Sequence, residues 1–356
     1  MIWVLLLLAG ALLAVAQHFW AGETLRKLSL ESSGECLLAE PGQKIIWHAT
    51  LQNKSRLPAL FARLQLHFPV STVFTAKDSW IRSHCRQTLQ YWHVEEKFSL
   101  LPKKSITRSV TFSLPERGQY HVGSYRLSAG DLLGFREEAM NGPGGTVVIM
   151  PREALSKKTI DALGGFLGDR SVRRFILEDP VLTVGFRDYT GREPMKAISW
   201  TRTATAGAMQ VKQFDHTAEQ TAMVLLDVEG GQPEELEGCF RLMRSVCQYL
   251  EQQKIPYGLR TNGSLPGPLG QMFFLAEGLG SNHLNAILYG LGRADYACYH
   301  SLRYLTQQTL QHRKQNEAYI LITPKVTESV STYIRQLRSA MGNPVCVLTG
   351  EEEAQP

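Results

Sequence analysis

The apolar pattern of the chain changes at about residue 152, and that change constrains the fold more than any other feature. From residue 35 up to that point the chain runs in short apolar or β-branched stretches, KIIWHATLQ, FARLQLHFPV, SITRSVTFSL and QYHVGSYRLS, separated by Pro, Gly, Asn and Ser. Strands of that length and spacing predict a β-sandwich-like domain over 35–152. GPGG at 142–145 leads into TVVIMP, its last strand, and Arg152 opens a different pattern. KAISW and AMQVKQFD then read as strands, and from residue 220 strands alternate with amphipathic helices. TAMVLLDV carries Asp227 at its end and precedes EELEGCFRLMRSVCQYLEQQ, where Leu236, Phe240, Met243, Val246, Cys247 and Leu250 recur at three and four residues, as on one face of a helix. IPYGLRT, AYILIT and NPVCVLT repeat the strand, while residues 283–292, 301–315 and ESVSTYIRQLRSAM repeat the helix. This order predicts an α/β domain with a mainly parallel sheet over 153–350. The acidic EEEAQP at 351–356 reads as a frayed tail.

The N-terminus is of another kind. Residues 2–22 carry no formal charge, and as a helix they would measure about 31 Å, close to the hydrocarbon thickness of a bilayer. Trp3 and Trp20 stand near the two ends, where an indole suits the headgroup region. A transmembrane helix over 1–22 is the expectation. No Lys or Arg precedes the run while Arg26 and Lys27 follow it, so the positive-inside rule predicts a single-pass cell-membrane protein with cytoplasmic C-terminal domains. The competing reading is a cleaved signal peptide, with Leu5 to Leu13 as apolar core and Ala14-Val15-Ala16 as the small-residue site. Cys36, Cys85, Cys239, Cys247, Cys298 and Cys346 are scattered with no CxxC pair, which fits a reducing compartment.

A hydrophobic share of 44% with 20% charged residues excludes a disordered or collagenous chain. The net charge of +5 is unevenly distributed: residues 23–152 hold 17 Lys and Arg against 11 Asp and Glu. That excess next to the apolar run predicts contact with a lipid bilayer. Lys103, Lys104, Arg108, Arg152, Lys157 and Lys158 make loose clusters without interleaved aromatics, so no nucleic-acid partner is expected.

Two segments carry the most distinctive residues. In Val184 to Asp215 stand Arg187, Asp188, Tyr189, Gly191, Lys196, Ile198, Trp200, Thr203 and Ala204; upstream, RGQYHVGSYRLSAGDLLGF holds Arg117, Gly118, Tyr120, Asp131 and Gly134. In that order the two segments resemble the signatures of the family known as domain of unknown function 58. From the residues alone the later segment reads as a structural corner. Arg187 would pair with Asp188 or Glu193, Lys196 with Asp215, Gly191 would allow a tight turn, and Tyr189 and Trp200 would be buried. It has no Cys, and its only His, His216, lies just past its end, so the activated nucleophile of a catalytic reading is missing.

The resemblance implies that 153–350 is similar to the von Willebrand factor A fold, whose metal-dependent members carry Asp-x-Ser-x-Ser after the first strand. Here the place is taken by Asp227-Val-Glu229-Gly230-Gly231, with both hydroxyls missing, and the later loops offer Thr261 and Thr323 without a further carboxylate. Asp227, Glu229 and Thr261 are therefore degenerate metal-site positions, and neither metal nor cofactor is expected. TNGSLPGPLG lacks the Lys-Ser/Thr of a phosphate loop and reads as a surface loop, and a cap at Ser281 or Asn282 accounts for the polar residues of GLGSNHLNAILYGLGRADY.

The function these readings imply is a membrane-anchored, non-enzymatic interaction or assembly platform, which the resemblance places beside a MoxR-type AAA+ ATPase as an adaptor. Two alternatives stand. One is a hydrolase or transferase using the Asp215, Asp227 and Glu229 carboxylates, and the other is a metal-dependent extracellular adhesion module.

Overall fold

The computed structural model describes residues 3, 10, 15, 20, 23–34, 38–75, 84–130, 137–153, 157–174, 183–191, 195–214, 221–267, 270–314, 317–341 and 345–350. The chain divides into two compact units, one of Met1–Arg152 with Leu288–Ala294, the other of Glu153–Ile287 with Asp295–Pro356.

The first unit is built from β1 (Leu28–Gly34), β2 (Leu38–Ala39), β3 (Ile45–Asn53), β4 (Ala59–Pro69), β5 (Val73–Phe74), β6 (Cys85–Gln87), β7 (Tyr91–Leu100), β8 (Ser105–Ser113), β9 (Gly118–Val122), β10 (Ser124–Gly130), β11 (Glu137–Gly142) and β12 (Gly145–Ile149). They form sheets in the orders β1-β3-β8-β5, β11-β10-β4-β7-β6 and β2-β12-β9. The two larger sheets are antiparallel throughout. Period-two alternation decides what they bury: Ile45, Trp47, Ala49 and Leu51 on β3, and Ala62, Leu64, Leu66 and Phe68 on β4, all point into one core. Phe68 of β4 meets Phe112 of β8 at 5.3 Å and Phe74 of β5 at 5.5 Å between ring centroids, which packs one large sheet face to face with the other.

The second unit opens with α1 (Lys157–Arg174) and β13 (Thr183–Asp188), followed by a 3-10 turn at Met195–Ala197, α2 (Trp200–Ala206) and β14 (Gln210–Phe214). It continues through β15 (Thr221–Leu226), α3 (Pro233–Gln252), β16 (Tyr257–Gly267), β17 (Gly270–Gly278), α4 (Ser281–Arg293), whose C-terminal half from Leu288 belongs to the first unit, α5 (Leu302–Gln311), β18 (Glu317–Thr323), α6 (Glu328–Met341) and β19 (Val345–Thr349). Its main sheet has the order β17-β16-β15-β18-β19. β15 is parallel to β16 and β18, β18 is parallel to β19, and β16 pairs antiparallel with β17. β18 is buried along its whole length and β15 from Ala222 to Leu226, the signature of strands covered on both faces. Met223, Leu225, Tyr319 and Leu321 face Leu302, Leu305, Ile334 and Leu337 of α5 and α6. α3 packs against β15, β18 and β19. Its N-terminus is held by Pro233 in the first turn and by the Glu235 carboxylate, which accepts the Gln232 amide at 3.0 Å.

Three expectations are corrected here. Strands make up 44% of the described residues, in antiparallel and mixed sheets, so the predicted sequence of transmembrane helix, β-sandwich-like domain and mainly parallel von Willebrand factor A-like domain does not describe the chain. The strand-helix alternation suggested a crossover after every strand. Instead residues 261–267, read as a surface loop, belong to β16, and β17, starting at Gly270, pairs antiparallel with it. Among the described residues no helix is long and apolar enough to cross a membrane, which overturns the membrane span over 1–22 and the single-pass cell-membrane localisation. Of residues 2–22 all but Trp3, Gly10, Val15 and Trp20 lie outside the described residues. The Trp20 indole, assigned to a lipid headgroup region, donates to the Pro58 carbonyl at 3.2 Å, and the adjoining helical residues carry Glu23, Arg26 and Lys27 while burying Thr24 and Leu25. A third change is local: KAISW is no strand, since its residues form the 3-10 turn and the start of α2.

Candidate functional site

The polar residues singled out in the second unit converge where β15, β16 and β18 end. β15 runs out at Leu226 and delivers Asp227, which is 1% exposed. Asp227 Oδ1 accepts hydrogen bonds from the Asn262 side-chain amide at 2.6 Å and from the Glu229 backbone N–H at 3.0 Å, and Oδ2 accepts from the Thr323 hydroxyl at 2.9 Å. The Asn262 carbonyl oxygen in turn accepts the Val228 N–H at 2.9 Å, so the network closes on the loop that carries Asp227. Gly230 sits at φ +69°, a conformation that costs a side-chain-bearing residue strain and that lets the loop turn back toward α3.

Burial pushes the Asp227 carboxyl above its usual range, and the Glu229 charge adds to that push; the three donors hold it down. Glu229 is committed elsewhere, since its Oε2 accepts the Leu302 N–H at 2.6 Å at the first turn of α5, where a carboxylate also meets the positive end of the helix dipole. The Thr261 hydroxyl accepts the Gly263 N–H at 3.0 Å. Asp227, Glu229 and Thr261 thus each accept a backbone N–H, and Asp227 also accepts the Asn262 amide and the Thr323 hydroxyl. Among the described residues no three His, Cys, Asp or Glu gather as a metal would need. Asn262, which the sequence reading passed over for Thr261, is the central partner. Its complete burial on β16, visible only in the fold, marks it.

The thiols of α3 lie in the same core. Burial pushes the Cys239 thiol up to about 12, with the Asp227 charge adding to it, and burial raises Cys247 as well, so neither supplies a thiolate at neutral pH.

The signature segment has a different character. Arg187 and Asp188 lie on β13 opposite Val211 and Gln210 of β14, and the Gln210 amide donates to the Asp188 carboxylate. Tyr189 extends that ladder, its N–H reaching the Met209 carbonyl at 2.8 Å, and Gly191 follows at φ +89°. Ile198 is buried and bridges to Val211, whereas Lys196 is exposed in the 3-10 turn. Trp200, expected in a core, is 58% exposed, and α2 buries none of its residues. The helix is held instead by backbone: Ser199 N–H reaches the Gln210 carbonyl, the Thr203 hydroxyl accepts the Gln210 N–H, and Gly207 closes it in the left-handed conformation. Around it Phe186 is 40%, Met195 69% and Met209 43% exposed, and the Arg202 guanidinium lies over the Phe186 ring at 5.1 Å. Glu193 and Asp215, the expected partners of Arg187 and Lys196, and His216 lie outside the described residues.

In the first unit Arg117 donates from Nη1 to the carbonyls of Leu291 at 2.6 Å and Ala294 at 2.7 Å, closing the C-terminal end of α4. Gly118 follows at the start of β9, and the Tyr120 hydroxyl donates to the Glu116 carbonyl at 3.1 Å. These contacts organise backbone. Asp131 and Gly134 lie outside the described residues.

No family model matches the chain, and no curated protein matches it. Among solved structures, the chain is similar to the CARDB domain of a Pyrococcus furiosus protein, solved in complex with di-metal ions, at 11% identity over 34% of this chain and 91% of that one, with a TM-score of 0.23. A non-cellulosomal cohesin from Archaeoglobus fulgidus matches at 14% identity over 38% of this chain and 96% of that one, TM-score 0.25. A Salmonella alpha-2-macroglobulin matches at 9% identity over 35% of this chain and 9% of that one, TM-score 0.27.

Proposed function

We propose that the chain is a non-enzymatic interaction platform whose contact surface is the β13–β14 hairpin with α2. The observation that carries this reading is the 58% exposure of Trp200 beside exposed Phe186, Met195 and Met209. Aromatic residues, Met and Arg are the residue types enriched at protein interfaces, and Trp heads the list of those that dominate binding energy. Around them Arg187, Asp188, Lys196 and Arg202 provide the polar rim such a surface needs. The burial of Asp227, whose two oxygens accept from Asn262, Glu229 N–H and Thr323, supports the same reading, because a general acid or base must have its oxygens within reach of a substrate.

The test is photocrosslinking in the cell of origin from position 200, with the exposed Arg303 position as control, read by mass spectrometry. A discrete protein adduct from 200 that is absent from 303 is the expected result, and a MoxR-type AAA+ ATPase in that adduct would identify the partner that the family resemblance implies. Equal labelling from both positions, or none from 200, would refute the platform.

A further inference from the structure

A second site lies in the same unit, away from the Trp200 surface. β16, β17 and α5 enclose a cavity of about 350 Å³, a size that takes a small organic ligand. One wall is aromatic. The His300 ring stands 5.2 Å from Phe273 and 4.7 Å from Tyr304, the latter pair inclined by only 32°, so three rings make a continuous surface. Opposite it Arg260, from the middle of β16, lies over the Phe274 ring at 5.0 Å from its centroid.

Arg260 is the unusual member. It is 9% exposed and brings a positive charge into the cavity wall. Nη1 donates to the Gln308 carbonyl at 2.7 Å, while Nε is buried with no hydrogen-bond partner. Among the described residues no carboxylate lies within ion-pair distance of it. A buried guanidinium with no carboxylate beside it is costly, and an anion seated in the cavity that Arg260 lines answers the charge. The aromatic wall adds a preference for a flat ring, and a single guanidinium matches one carboxylate better than a phosphate dianion.

We propose that this cavity binds a planar aromatic carboxylate, with the ring against Phe273, His300 and Tyr304 and the carboxylate on Arg260. The reading goes beyond the interaction platform and stands without it.

The full chain is titrated with 2-naphthoate and with 2-naphthamide, its uncharged counterpart, by calorimetry and saturation-transfer NMR. The carboxylate should bind saturably and at least tenfold more tightly than the amide. Arg260→Gln should erase that difference. Tyr304→Ala, at a position 46% exposed and therefore free of folding consequences, should weaken 2-naphthoate at least fivefold with an unchanged melting temperature. Failure of 2-naphthoate to saturate at millimolar concentration overturns the site, as does equal affinity for acid and amide in the unaltered chain. Unchanged binding in Tyr304→Ala overturns it as well, whether or not Arg260→Gln folds.

Discussion

The Asp227 network and the Trp200 segment belong to one unit and use their residues in opposite ways. At the end of β15 a carboxylate, an amide and a hydroxyl, the side chains that usually carry chemistry, are sealed inside and spend their polar atoms on each other. At β13, β14 and α2 the side chains that usually build cores are left in solvent, while backbone hydrogen bonds and one Thr hydroxyl hold the segment together. Polar residues are therefore structural where they are buried, and apolar residues are available for contact where they are not. Residue type alone assigns both regions the wrong way round.

The largest effect that separates the two is on stability. Asp227→Ala leaves the Asn262 amide buried without this acceptor and the Thr323 hydroxyl with only the Lys325 carbonyl at 3.3 Å, and should destabilise the second unit by about 3 kcal/mol in urea unfolding. A loss below about 1 kcal/mol would mean that the network does not hold the sheet end together.

A second effect is on pH dependence. Glu317 on β18 is 2% exposed, and burial raises its carboxyl above the usual value of 4.5; the hydrogen bond and charge of Glu277 push the same way, while the Tyr319 hydroxyl and Lys314 oppose them. Because the folded state holds the proton more tightly than the unfolded one, the stabilisation is fully present below 4.5 and is lost as pH rises through the raised value. Subtracting the Glu317→Gln unfolding free energy from that of the unaltered chain across this range should give a difference that falls with pH. A flat difference would contradict the raised proton affinity.

Smaller again, Glu229→Ala removes the acceptor at the first turn of α5 and should cost about 1 kcal/mol, read as a lower urea midpoint. The smallest effect on stability is expected from Trp200→Ala, within about 0.5 kcal/mol because the ring is largely in solvent. A buried Trp would have cost about 3–5 kcal/mol, so this variant measures the exposure itself.

Where local pattern determines structure, the sequence was readable. AYILIT lies on β18, VCVLT is β19, and ESVSTYIRQLRSAM is α6, because short β-branched apolar runs favour strands and a three-four periodicity favours a helix. The pattern failed where tertiary pairing decides. KAISW has the composition of a strand, yet Ser199 and Ile198 bond to β14 in a way that turns the chain into α2 and throws Trp200 outward. Gly263, Pro266 and Gly267 suggested a loop, but they lie on β16, whose register against β17 is irregular between Arg260 and Leu265. The apolar N-terminal run matched a bilayer in length, and length says nothing of a Trp20 that bonds to Pro58. Asp227 was found because it ends a strand. Asn262 and Arg260 were missed because only the fold reveals that they are buried.

The central claim is that contact with a partner belongs to the exposed segment and stability to the buried network, and one paired measurement tests it most directly. Once photocrosslinking has identified the partner, its affinity is measured for Trp200→Ala and Asp227→Asn at a temperature where both are folded. The account predicts at least a tenfold loss for Trp200→Ala with an unchanged melting temperature, and unchanged affinity for Asp227→Asn with a lowered one. Full affinity in Trp200→Ala together with lost affinity in folded Asp227→Asn would contradict it.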